Sequence, residues 1–521
     1  MHQPSPSPAH LSRRSALTAL AALGGTLLLS SCSGTPAAET SDTGGGTPAD
    51  GGTLRYAVAG SPATAGDDPH GGLGNESDVL RFALTYDVLT VPGEDGTTRP
   101  RLATSWEPDD AMSRWTLTLR EDARFTDGTP VRAADVLYSL RRIGDKAAEN
   151  YGRLADFDTA RSTAPDEHTV VLVTHAPMAD APRALESITF VVPEGTEDFS
   201  RPVTGSGPYQ VERTGAQSTV LIRNDTWWGE RPHLDRIEIQ AVADPQARAN
   251  AVVAGQADVA GSVSPAAVRG AGSAQTQVVR REGVTTYPFV MRLDTEPFDD
   301  PRVREAFRLA ADRQALVDTV FLGYGTVAND LPTPHDPATP RDLPPRTRDV
   351  ARAKRLLAEA GHAGGLSVTL HTTTSYPGMD TAATLYAQQL ADIGVDAEVK
   401  VEPADTYWTA VYATKAFYTG YYGGISFPDL VRVGLLSDAP TNETAWRSET
   451  FDEGFARAMS TTDEARRAEL LSGIQRELWE DGGYVVWGTG DGLDLTAPGV
   501  RGLPDGPGFQ RMFIDRVWMA R

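Results

Sequence analysis

The stretch SWEPDDAMSRWTLTLREDARFTDGTPVRAADVLYSL, residues 105–140, reads by its periodicity as one folded unit of strand, turn and helix. Trp115, Leu117 and Leu119 alternate with Thr116, Thr118 and Arg120, the two-residue repeat of a strand with one buried face and one wet face. Asp127-Gly128-Thr129-Pro130 reads as a turn that opens a helix, Pro130 fixing φ where the first helical turn needs no backbone donor. Ala133, Val136, Leu137, Leu140 and Ile143 recur at helical spacing, so that helix is expected to lay its apolar stripe on the sheet.

The alternation continues outward from this unit. Strands are expected at 53–58, 169–173, 187–192 and 237–241, and helices at 301–321, 350–360 and 379–393. Gly361 and Gly394 stand where helix C-caps are needed, and each is soon followed by a strand-like run, at 366–371 and 395–401. The organisation is α/β, without an internal repeat.

The chain has 521 residues, and 48 Lys and Arg against 70 Asp and Glu give a formal charge of -22. That balance argues against nucleic acid and against direct binding to anionic lipid, and mostly reports a soluble surface. At the N-terminus Arg13-Arg14 precede an apolar run at 16–29 and then Ser30-Ser31-Cys32. The run is short and interrupted by Gly24, Gly25 and Thr26, so it reads as an export signal rather than a membrane span, which takes about 20 apolar residues. An uncleaved anchor is the other reading. Small residues directly before the only cysteine suit lipoprotein processing, with Cys32 as the lipidated residue of a bacterial envelope protein. Residues 12–17 resemble a twin-arginine signal, and the general secretory route stays open. Residues 33–52, poor in large apolar side chains, read as a tether. Roughly 490 residues then remain, enough for two or three lobes.

Several groups of residues resemble one known family in the family's own order. They are residues 105–140, Tyr86-Asp87-Val88-Leu89, residues 100–107, Gly205-Ser206-Gly207-Pro208-Tyr209, Arg223-Asn224-Asp225 with Trp227-Trp228-Gly229, and residues 296–306 running into Ala310-Ala311-Asp312-Arg313. By these the chain is similar to the extracellular solute-binding proteins of family 5, which serve ABC importers of peptides, nickel chelates and related solutes. The resemblance implies a periplasmic-binding-protein-like α/β fold of type II, with two main lobes joined by a hinge and an inserted extra lobe (cluster C). Lobe I would comprise 53–92, 203–287 and 493–521, lobe II 93–202 and lobe III 288–492. The solute, a peptide or peptide-like compound, would be held between lobes I and III by hinge closure and passed to a membrane permease. The strand crossings would fall near 287–294 and 490–493. A monomer is expected, with no cofactor, no metal and membrane contact only through the lipid anchor.

The densest candidate surface is residues 405–430, where Tyr407, Trp408, Tyr412, Phe417, Tyr418, Tyr421, Tyr422 and Phe427 crowd together. Aromatic rings suit a solute cleft because they offer large contact area at low entropy and can hold a cation over a ring face. The core is the competing role, favoured for Trp408, Tyr412 and Phe417, whereas Tyr421 and Tyr422 beside Gly423-Gly424 are read as cleft-facing. Arg292 takes a crossing position where many relatives carry asparagine, so it is either a cleft guanidinium or a surface arginine. In oligopeptide-binding relatives the loop resembles Gly-Trp-x-x-Asp-Tyr before a proline, and its Asp pairs with the peptide's α-amino group. Gly424 stands at the matching position. Either Asp429 or another acid replaces that charge, or the solute is no free-amino peptide, and the sequence favours the latter.

An enzyme finds little support. The chain has no Gly-x-Ser-x-Gly elbow, His-Glu-x-x-His pair or phosphate-cradling loop, and acid pairs such as Asp109-Asp110 and Asp299-Asp300 sit in turn-like contexts. A solute-sensing or chaperone-like surface lipoprotein uncoupled from transport is a further alternative.

Overall fold

The computed structural model describes residues 47–520 apart from the segments 62–65, 72–74, 94–96, 147–153, 187–188, 201–203, 216, 272–274, 405, 440 and 507. The export signal, Cys32 and residues 33–46 of the tether lie outside the described residues.

The opening stretch folds largely as its pattern demands. Strand Arg114–Leu119 alternates exposed and buried residues, Trp115, Leu117 and Leu119 facing in, and lies between Ala103–Pro108 and Thr169–Val173. Helix Ala133–Asp145 buries Ala133, Val136, Leu137, Leu140 and Ile143. The helix begins later than Pro130 suggests. Pro130 bridges to Arg124, and the start is fixed instead by Asp135, whose carboxylate accepts the Arg132 backbone N–H at 2.8 Å.

A sheet of twelve strands forms the backbone of the molecule. Its main path runs Val395–Glu402, Leu366–Thr373, Phe417–Thr419, Gln277–Met291, Tyr484–Thr496, Val259–Ala260, Thr53–Val58, Arg236–Ala241, Ser218–Arg223, Tyr209–Thr214. Two strands in the middle are unusually long, Gln277–Met291 and Tyr484–Thr496, and they pair antiparallel with each other. At one end Leu493 and Leu495 join a small core with Ala57, Ala249, Val259 and Val268. At the other, Phe289, Val290, Met291 and Tyr484 to Trp487 belong to the largest core, built within residues 287–487. A further core draws on Leu54, Phe82, Tyr209, Ile237 and Ile514, and another lies within residues 89–191. The long pair therefore carries the chain from one packed half to the other.

Between the halves the pair is irregular. Arg281 faces Gly492 and Thr285 faces Gly490, with the register slipping in between. Gly283 takes the left-handed conformation there (φ 62°), and Asp491 accepts its N–H at 2.9 Å and an Arg280 Nε bond at 2.6 Å. The irregularity lies opposite 490–492, inside the expected second crossing. On the first strand it precedes 287–294, a second register shift falls between Thr286 and Pro288 at the start of that span, and Phe289 to Met291 then pair regularly with Phe417–Thr419.

Two further expectations need correction. The helix expected at 301–321 is two, Pro301–Ala310 and Arg313–Phe321, because Ala311 is extended (ψ 116°) and Asp312 caps a new start by accepting the Ala315 N–H at 3.0 Å. The strand expected at 187–192 is, among its described residues, a single bridge between Asp87 and Val191. The Val192 N–H goes to the Ser139 hydroxyl at 3.0 Å rather than to a neighbouring strand. Gly361 and Gly394 do follow helices Val350–Glu359 and Met379–Ala391 in left-handed conformations. No helix among the described residues is long and apolar enough to cross a membrane.

Residues that carried the family resemblance meet in structural knots. Asp87 is wholly buried and accepts from Arg101 Nε at 2.6 Å and Trp228 Nε1 at 2.8 Å, while Arg101 lies over the Trp227 ring at 5.0 Å. Arg120 stacks on Trp228 at 3.3 Å. Arg313 donates twice to buried Asp330 at 2.7 Å, joined by Arg346 at 2.8 Å. The backbone at Gly205 passes the helix Glu76–Thr85 so closely that a Cβ would stand 1.9 Å from the Thr85 carbonyl oxygen.

Candidate solute cleft

The segment 405–430 does not present one aromatic face. Its side chains divide among three environments. Tyr421 points toward the junction of the two halves, stacked on Tyr376 with centroids 3.6 Å apart and planes 9° apart, and set edge-on to Tyr287 at 5.6 Å. Trp408 meets the far side of Tyr376 edge-on at 5.9 Å, so it supports this wall from behind.

Tyr418 and Tyr422 point the other way, into the large core around Glu443. The Tyr422 hydroxyl donates to the Glu443 carboxylate, Tyr484 does so at 2.6 Å, and Tyr418 donates to the Glu443 carbonyl at 3.0 Å. Glu443 is fully buried without a cationic partner among the described residues, and burial pushes its carboxyl up to about 7. Tyr407 is core as well, its hydroxyl bonded to the Thr419 carbonyl at 2.7 Å, and Phe417 packs on Phe298 and Phe307. Tyr412 packs on Trp408 and Tyr418.

Phe427 is buried against Phe451, and its N–H is taken by Asp336 at 2.9 Å. Asp429 accepts from Ser426 Oγ at 2.6 Å and pairs with Arg432 at 3.2 Å. Arg432 also reaches Asp180 and, at 3.4 Å, Asp156, both on the segment that includes the opening stretch's sheet. Burial alone would lower the Arg432 pKa, and Asp180 above all reverses that and raises it. Arg292 is engaged locally, donating to both Asp294 oxygens at 3.1 and 2.8 Å and to the Ala413 carbonyl. The structure thus brings Tyr421 and Trp408 to one wall and directs Tyr407, Tyr418, Tyr422, Phe427, Asp429 and Arg292 elsewhere.

Gly424 lies at the junction. A Cβ added there would stand 3.5 Å from the Cα of Gly508 and 3.9 Å from the Val284 carbonyl oxygen, so the position faces the opposite half. On that half a charged cluster lies opposite Tyr421. Glu76, the first residue of helix Glu76–Thr85, pairs with Arg511 and accepts from Ser262 Oγ at 2.9 Å. Arg281 and Asp494, both almost fully buried, pair at 2.7 Å, and Asp494 also accepts the Ser262 N–H at 2.8 Å. Burial would raise the Asp494 carboxyl, but Arg281 first and then Arg511 hold it below its ordinary value. Burial would likewise depress Arg511, and Glu76 and Asp494 instead raise it. Glu76 and Arg511 both act electrostatically on the Tyr421 hydroxyl, whose pKa burial raises.

None of Glu76, Ser262, Tyr376, Asp494 and Arg511 was legible as a site residue. Glu76 and Arg511 are far apart in the chain and neither sits in a motif, while Tyr376 is a single ring in a Thr-rich and Ser-rich loop. Among the described residues no group of three or more His, Cys, Asp or Glu is placed to hold a metal ion.

Residues 97–441 match the model of a protein family described as bacterial extracellular solute-binding proteins, family 5 Middle. The chain is similar to the glutathione-binding protein GsiB of Escherichia coli K12, 26% identical over 405 residues that cover 74% of this chain and 79% of that protein. In structure it is similar to the periplasmic binding protein AgaA of A. tumefacien R10 in complex with agropinic acid (TM-score 0.76, 24% identity, 90% of this chain, 99% of the other). It is also similar to DppA of Helicobacter pylori in complex with the peptide STSA (TM-score 0.76, 20% identity, 91% of this chain, 99% of the other).

Proposed function

The chain belongs to the bacterial extracellular solute-binding proteins of family 5, which bind solutes rather than convert them, and on that premise we propose that it captures one small solute between its two halves and releases it unchanged to an ABC permease. The observation that carries this reading is the stacked wall of Tyr287, Tyr376 and Tyr421 facing the Glu76–Arg511 pair, beside the contact of Gly424 with Gly508. The wall belongs to the half with the large core and the ion pair to the other. The irregular stretch of the two long strands is the place about which the halves turn.

The lobes of this reading are 53–92 with 203–287 and 493–521, then 93–202, then 288–492. The protein is a monomer exported through residues 1–32 and held by lipidated Cys32 at the outer face of the cytoplasmic membrane. The solute is a peptide or peptide-like compound, a choice consistent with what the names of GsiB and of the DppA complex say of those proteins.

Native mass spectrometry of gently purified protein tests the reading. One carried-over small molecule per chain, chemically identifiable and unaltered by long incubation, is expected. Turnover of that molecule into products would refute it.

A further inference from the structure

We infer that Glu76 and Arg511 are the polar specificity determinants of the cleft and select a zwitterionic solute, whose ammonium replaces Arg511 at Glu76 and whose carboxylate replaces Glu76 at Arg511. The inference rests on the cleft reading above and names the chemistry that the cleft accepts.

Glu76 Oε1 holds Arg511 and the Ser262 hydroxyl, whereas Glu76 Oε2 is buried with no hydrogen-bond partner among the described residues. A buried carboxylate oxygen left without a donor is costly, and a solute ammonium is the group that would satisfy it. Arg511 has five donors in a planar fork suited to a carboxylate. Its other charged neighbour, Asp494, is already paired with Arg281. Ser262 is held at positive φ (50°), with its N–H on Asp494 and its hydroxyl on Glu76, so it fixes the Glu76 carboxylate against the cluster.

Charge balance then decides what can enter. Two salt bridges hold the cluster, Arg281 with Asp494 and Arg511 with Glu76, and a third cation, Arg248, is fixed on the Ser262 carbonyl at 2.6 Å and acts on Glu76 and Asp494 without pairing with either. A neutral solute wedged between Glu76 and Arg511 would strand both in a desolvated site, and a singly charged one would strand one of them. A solute carrying both charges exchanges one internal pair for two intermolecular ones. Tyr421 and Tyr376 opposite supply a flat apolar surface for the remainder of the molecule. Glu76 thus stands as the acid that replaces the charge missing at Gly424, from the other side of the cleft, and Asp429 does not, since it is committed to Ser426 and Arg432.

The test uses the full-length mature protein and four versions of one dipeptide and tripeptide library: free, N-acetylated, C-amidated and doubly blocked. Capture is read by native mass spectrometry at matched concentrations. Wild-type protein is expected to retain members of the free library at least about tenfold better than either singly blocked form. Glu76→Gln should abolish the discrimination against N-acetylation alone, Arg511→Gln that against C-amidation alone, and Glu76→Asp should restore the preference. Folding of each variant is checked by its thermal midpoint.

Equal capture of free and blocked libraries by wild type, retention of the wild-type preference by both Gln variants, or no capture from the free library would overturn the inference. If an uncharged solute is instead carried over from cells at one per chain, the inference fails and the solute-binding reading stands. If no solute of any kind is bound, both fail.

Discussion

Asp87 and Glu443 show how differently a buried carboxylate can be housed. Asp87 has a guanidinium and two indole donors, so removing it would leave Arg101 charged and unpaired in the interior. Asp87→Ala should cost about 3 to 5 kcal/mol in urea denaturation, and Trp228→Phe, which removes one neutral donor, about 1 kcal/mol. Glu443 has tyrosine hydroxyls and, among the described residues, no cation, and burial raises its carboxyl from the ordinary 4.5 to about 7. Its native form therefore binds a proton that the unfolded chain has already lost above the ordinary value. The stability tied to that proton is complete below about 4.5 and disappears as pH rises through about 7, a change on the order of 3 kcal/mol. Glu443→Gln should remove this component. The stability difference between variant and wild type should grow in the variant's favour from pH 5 to pH 8, and a constant difference would contradict the assignment.

At the scale of elements, periodicity was a sound guide wherever one face of an element is buried. The alternation of Trp115, Leu117 and Leu119 and the stripe from Ala133 to Ile143 are reproduced residue for residue. It failed where a side chain intervenes in the backbone. Apolar spacing runs through 301–321 without a break, but Asp312 offers its carboxylate to the Ala315 N–H and starts a second helix. Asp312→Ala should cost about 1 kcal/mol and lower the protection of the first amides of Arg313–Phe321 in hydrogen exchange, with little effect on Pro301–Ala310. At 187–192 the apolar run is real, since Phe190, Val191 and Val192 are buried, yet Ser139 takes the N–H that a strand would have shared. The candidate site was legible in the same partial way. An aromatic-rich segment pointed to the part of the sheet that carries Tyr421, but Tyr421 and Tyr422, adjacent in sequence, lead to opposite sides of it. The partners that make Tyr421 meaningful, Tyr376, Glu76 and Arg511, come from other elements, and only the assembled sheet brings them near.

At the scale of the whole molecule, the residues that identify the family and those that face the junction are different sets. Asp87, Arg101, Trp227 and Trp228 tie packed cores together and Arg313 braces the large core from within, so these residues identify the family and say nothing of cargo. One ion pair bears on the proposed closure. Arg432, on the half with the large core, reaches Asp180 and Asp156, and nearby the Ala179 N–H bonds the Met459 carbonyl at 2.9 Å. The 89–191 segment is tied to the other half through Asp87, Arg101, Trp228 and Phe513, so in the proposed hinge motion opening would pull this cation from its carboxylates. Arg432→Gln should therefore shift the population toward open forms, seen as a larger radius of gyration in solution scattering, and weaken solute binding by about tenfold, or about 1.4 kcal/mol.

The central claim is that one small solute is held, unconverted, against the wall that carries Tyr421. Titration calorimetry of wild type and Tyr421→Ala with the solute identified by native mass spectrometry tests it most directly. Expected are one site per chain, affinity at least about tenfold weaker in the variant, a cooperative thermal transition in both proteins without solute though at a lower midpoint in the variant, and no product in either sample. Equal affinity in the two proteins, or consumption of the solute, would contradict it.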